Sequence, residues 1–64
     1  MVRAYEVERK KRIDSITNSL KVAKKAKSEI DWEKLIIMVM AEYSVSRRTS
    51  REYIFVAKVK AGIK

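Results

Sequence analysis

Proline is absent from this chain, and glycine occurs once, at position 62 of 64. Tight β-hairpins need glycine, or Asn and Asp beside it, to reach positive φ. Hairpin chemistry is therefore nearly missing, and a mostly helical, all-α fold is expected. At this length the chain is one small domain near the lower limit for folding alone, so its core must be modest. Cys and His are both absent. That excludes a disulfide framework and the usual zinc sites, so no metal and no cofactor are expected. It also removes the two commonest nucleophile and base side chains, so an enzyme is not expected. No apolar run approaches a membrane span, and the charged N-terminus lacks the uncharged core of a signal peptide. A cytoplasmic protein without membrane contact is the expectation.

Periodicity divides the chain into three helices. Residues 1–10, with Val2, Tyr5 and Val7, read as a basic N-terminal arm or as a helix extension. From about Lys11 to Lys27, Ile13, Ile16, Leu20 and Ala23 recur at helical spacing and give one apolar stripe. Lys21, Lys24, Lys25 and Lys27 fall in the last turns, where cations suit the helix dipole, and read as a solvated face. Ser28-Glu29-Ile30 is a connector or short strand. Asp31 is a good N-cap for a second helix from Trp32 to about Tyr43, with Glu33 in its first turn. Trp32, Leu35, Ile36, Val39, Met40 and Tyr43 share a broad face, and Ile37 and Met38 lie elsewhere. A helix apolar nearly all round is buried on more than one side.

Tyr43-Ser44-Val45-Ser46 then reads as a tight turn that plugs Val45 into the core and caps a third helix with Ser46. That helix is expected to run from Ser46 to about Ala61, with Gly62 as a left-handed cap. Ser50, Tyr53, Ile54, Ala57 and Ala61 point to the core, and the small Ser50 and Ala57 allow close approach to the second helix. Arg47, Arg48, Arg51, Phe55 and Lys58 share roughly the opposite face, with Val56 and Val59 as a strip beside Phe55.

Charge is segregated along the chain. Residues 1–27 hold nine Lys/Arg against three acids, a net of +6. Residues 28–46 hold Lys34 against Glu29, Asp31, Glu33 and Glu42, a net of −3. Residues 47–64 hold six Lys/Arg against Glu52, a net of +5. Basic helices on either side of an acidic one suggest a one-sided field suited to phosphate. Arginines at 47, 48 and 51 act against the partial positive charge of a helix N-terminus, and an anionic partner offsets that cost.

The segment Ser44-Val45-Ser46-Arg47-Arg48-Thr49-Ser50-Arg51-Glu52-Tyr53 resembles the Gly-Val-Ser-Arg-Arg-Thr-Ala-Arg-Glu-Tyr-like stretch of small archaeal helix-turn-helix DNA-binding proteins, including those of archaeal viruses and plasmids. The resemblance runs from Asp31 to Ile54 and extends less specifically to a winged-helix-like layout, without a full wing. It implies a helix-turn-helix domain over residues 11–64 that binds double-stranded DNA and serves transcription regulation. Helix two would cross the backbone and helix 46–61 would read the major groove.

Ser46, Arg47 and Arg48 then lie nearest the DNA, and Arg51 faces guanine O6 and N7. Arg47 or Arg48 can equally hold phosphate. Thr49 packs into the turn or offers its hydroxyl to a phosphate. Glu52 accepts from cytosine or pairs with Arg48, and Lys58 is a phosphate contact or solvated. Arg9, Lys10, Lys11 and Arg12 are possible further phosphate contacts. The surplus apolar residues Ile37, Met38, Phe55, Val56 and Val59 point to a dimer interface, hence a homodimer on a roughly palindromic site. The alternatives are a non-specific nucleoid or RNA-binding protein, or a protein–protein adaptor on the same fold.

Overall fold

The computed structural model describes residues 4–63. Residues 1–3 of the expected arm, and Lys64, lie outside them. Three helices follow one another: α1 (Ala4–Lys25), α2 (Trp32–Tyr43) and α3 (Arg47–Lys60), and no strand is present among the described residues. Residues 4–10 extend α1, and Ser28-Glu29-Ile30 is an irregular connector with no strand character. At about 1.5 Å per residue α1 is roughly 33 Å long, which accounts for most of the 38 Å long axis. None of the described helices is long and apolar enough to cross a membrane.

Both expected N-caps form. The Asp31 carboxylate accepts from the Lys34 N–H at 3.1 Å, and the Ser46 hydroxyl accepts from the Thr49 N–H at 3.2 Å. Each satisfies a donor that the first helical turn leaves open. The C-termini share another device. Behind α3, Gly62 sits at φ 73, its N–H bonds the Val59 carbonyl, and the Ile63 N–H bonds that of Lys58. That pair of bonds is a Schellman closure. The end of α1 repeats it with Lys27 at φ 56, Lys27 N–H to Lys24 and Ser28 N–H to Ala23. Ser44, at φ 52 and ψ 46, ends α2, and both its N–H and that of Val45 reach the Met40 carbonyl. Three left-handed residues close three helices, and only one of them is glycine.

The core joins Ile13, Ile16 and Leu20 of α1 to Val39 of α2 and to Tyr53, Ile54, Ala57 and Ala61 at α3. The α1 stripe is as the spacing predicts, except that Ala23 is only half-buried and Thr17 joins the interior. The Thr17 hydroxyl donates to the Ile13 carbonyl at 2.7 Å, so its burial leaves no polar group unsatisfied. α3 is the central element, packed against both α1 and α2, while α1 and α2 scarcely touch. At the α2–α3 contact Ser50 is fully buried and its hydroxyl donates to the Ile36 carbonyl at 2.8 Å. Ala57, about two turns further along the same face, is equally buried. Val45 packs against this core from the turn.

Within one copy α2 is covered on one side only. Val39 is its single fully buried residue, and Ile37 and Met38 are exposed. The expectation of burial on two sides is not met inside the chain, because α1 packs on α3 and leaves the far side of α2 open.

Left-handed backbone costs a residue with a Cβ roughly 1–2 kcal/mol. Ser44→Gly and Lys27→Gly should therefore each raise stability by about 0.5–1 kcal/mol, after allowance for the freer unfolded chain. Urea melts followed by circular dichroism read the change. A lowered midpoint in both variants contradicts the cap assignment.

Candidate nucleic-acid interface

The arginine helix is anchored before it is presented. Ser46 is committed to capping: it accepts from the Thr49 N–H and donates to the Thr49 hydroxyl at 3.1 Å. Thr49 is half-buried, and its hydroxyl accepts from Ser46, so the Ser46 hydroxyl is spent on the cap while the Thr49 O–H has no acceptor among the described residues. What these two residues contribute is the direction in which α3 leaves the turn.

The three arginines divide by role. One terminal nitrogen of Arg47 bonds both carboxylate oxygens of Glu33, at 2.5 and 2.6 Å. An arginine unfavourable for the N-terminus of α3 is thus held by an acid at the start of α2. The pair is half-exposed on both sides and contributes about 0–1 kcal/mol, so it aligns the corner more than it stabilises it. Arg48 is almost wholly exposed and lies 3.7 Å from Glu52, the i,i+4 pair expected from the spacing. Arg51 is exposed and has no ion-pair partner among the described residues.

These side chains border an open groove of about 700 Å³, lined by Arg9, Arg47, Arg48, Arg51, Glu52, Phe55 and Val56. Arg9 comes from α1, where it lies 5.8 Å from the centre of the Tyr53 ring. Four guanidinium groups and one carboxylate therefore surround a partly apolar floor. Such an arrangement attracts anions and offers planar donors suited to phosphate or to a base edge.

Several residues named from sequence lie elsewhere or are otherwise engaged. Arg12, a possible phosphate contact, is half-buried and engaged with other parts of the fold. It lies 5.1 Å over the Tyr43 ring, donates to the Tyr53 hydroxyl at 3.5 Å and faces Glu8 at 3.8 Å. Lys58 does not stand with the arginines: its ammonium lies 4.9 Å over the Trp32 ring, at the start of α2. Lys10 and Lys11 are exposed on α1. Of the apolar surplus, Ile37, Met38, Phe55 and Val59 are exposed, but Val56 packs against the core.

Lys24 has a role that sequence reading missed. Its ammonium donates to the carbonyls of Gly62 at 3.1 Å and Ala61 at 3.5 Å, at the negative end of the α3 dipole. A signal was present. Lys24 continues the Ile16–Leu20 line at i+4, just as Arg9 and Arg12 precede Ile13 and Ile16 by four. Cations at both ends of an apolar stripe point along the buried seam, with their stems packed and their heads at its rim.

Set beside protein-family models, characterised proteins and solved structures, the chain matches none.

The different uses of Arg12 and Arg51 are separable. Arg12→Gln should lower stability by about 1–2 kcal/mol, through the lost aromatic contact and hydrogen bond. Arg51→Gln should leave stability within about 0.5 kcal/mol. Thermal melts of both variants check this, and equal effects contradict the division.

Proposed function

We propose that the chain is a helix-turn-helix DNA-binding protein in which α3 enters the major groove and α2 crosses the backbone behind it. The observation that carries the reading is the pair Arg48 and Arg51. Both are exposed near the start of α3, and neither holds the fold together. Internal packing gives no reason for such a cluster at a helix N-terminus, whereas a duplex phosphate or a guanine edge does. B-DNA's major groove, about 12 Å wide, admits a single helix, and α3 is capped at both ends.

Roles follow from placement. Arg51 is the candidate base reader, through guanine O6 and N7. Arg48, tethered loosely to Glu52, and Arg9, reaching across from α1, are candidate phosphate contacts. Arg47 acts through Glu33 by keeping the α2–α3 corner in register. Regulation of transcription is the use proposed for such binding.

Non-specific coating of nucleic acid is the second reading. It is favoured by Lys10, Lys11, Lys21 and Lys25, exposed along α1 with no acidic partner among the described residues. Salt dependence does not separate the two, because both release counterions.

Selection of bound duplexes from a random pool, at stated salt, separates them: a base reader enriches a sequence and a coating protein does not. Arg51→Ala should relax preference at one position by about 1–3 kcal/mol. Arg48→Ala should weaken all sequences alike and flatten the salt slope by about one. If neither variant loses affinity at about 50 mM salt, where phosphate contacts are strongest, the interface is misassigned.

A further inference from the structure

Two apolar surfaces are left open, one of them continuous with the floor of the arginine groove, which Phe55 lines. On the C-terminal half of α3, Phe55 and Val59 stand one turn apart, 67 % and 64 % exposed. Between the second half of α1 and the start of α2 lies an open groove of about 320 Å³. Leu20 and Leu35 line it, and Met38 stands at its rim, 54 % exposed. The groove exists because α1 and α2 each pack on α3 and scarcely on one another.

Size and charge both match these surfaces. An apolar cavity of about 150 Å³ already admits a benzene ring, so this groove has room for the Phe55 side chain. Its polar edge carries Glu29 and Asp31 against Lys34, within a segment of net −3. The helix bearing the strip stays basic after its pairs are counted, with Arg48, Arg51, Lys58 and Lys60 against Glu52 and against Asp14 of α1, which lies 3.5 Å from Lys60. A two-fold contact of one Phe55 strip with another brings two basic helices together. A strip-to-groove contact brings a basic helix to an acidic edge, and like-charge apposition is the costlier of the two.

We propose that copies of this chain associate head to tail, with Phe55 and Val59 of one copy seated in the α1–α2 groove of the next. A pair of copies then keeps one unused groove, on the copy that gave its strip, and one unused strip, on the copy that gave its groove. The contact is heterologous and continues into rings or filaments instead of stopping at a two-fold dimer. This is an alternative to the palindromic homodimer expected from sequence, and its observations do not depend on the DNA-binding reading.

Sedimentation velocity without nucleic acid tests it, at concentrations up to about 1 mM, where weak association becomes visible. The natural chain should pass through dimer to larger species. Phe55→Asp and Met38→Asp should each weaken self-association at least about tenfold. An equimolar mixture should form a 1:1 dimer that grows no further, because Phe55→Asp keeps an intact groove and Met38→Asp an intact strip. Both positions are exposed, and circular dichroism confirms folding; the milder Phe55→Ser and Met38→Ser replace either variant that melts early. Three results overturn the proposal: a natural chain that stays monomeric or stops at dimer, a Met38→Asp variant that dimerises by itself, or a mixture that stays monomeric.

Discussion

At Ser50 the backbone of α3 comes close enough to α2 for a side-chain hydroxyl to reach the Ile36 carbonyl, at 2.8 Å. Much of the structure depends on that approach. A larger residue there forces the helices apart, and overpacking of this kind typically costs about 1–3 kcal/mol. Held at Ser50, α3 turns Tyr53, Ile54 and Ala57 inward, against the stripe of α1. The same rotation turns Arg48, Arg51, Phe55 and Val59 outward. The face proposed to read DNA and the strip proposed to join copies are thus consequences of one close helix contact.

Cations are distributed between holding the fold and facing outward. Arg12 bridges two tyrosines of different helices, Lys58 covers Trp32, Lys24 closes the end of α3, and Arg47 is paired with Glu33. A small core leaves aromatic rings only half covered, and long cationic side chains complete the cover with their stems while their charges stay wet. Net charge by itself therefore overstates the field available to a partner. What remains outward on the α3 side is Arg48 and Arg51, joined by Arg9 from α1.

Much of the fold was legible because it is local. Asp31 and Ser46 cap helices with their own near neighbours, three residues on. The Ile13–Ile16–Leu20 stripe follows from helical spacing alone. Ser44 stands where the resembling stretch has Gly, which leaves open a left-handed residue or a differently shaped turn, and the structure has the left-handed one. The N-terminal extension of α1 was ambiguous, since Val2, Tyr5 and Val7 suit a helix or an arm equally, and backbone hydrogen bonding from Ala4 resolves it for the described part. The candidate site was only partly legible. Arg47, Arg48 and Arg51 belonged to one face by periodicity, but periodicity does not distinguish an arginine held by Glu33 from one facing solvent.

Sequence by itself determined three helices, the N-caps of the second and third and the glycine that ends the third, the apolar stripe of α1, the small residues of the α2–α3 contact and the segregation of charge. Each rests on interactions within a few residues of chain, which composition and spacing encode directly. Tertiary structure alone decided which basic residues are engaged and which are open. The partners concerned lie far apart in sequence, 41 residues for Arg12 and Tyr53 and 37 for Lys24 and Ala61. Their meeting depends on how each helix is rotated and how closely it packs, and that is set by the whole core. The open groove between α1 and α2 has the same origin: it is the space left when two helices both pack on a third.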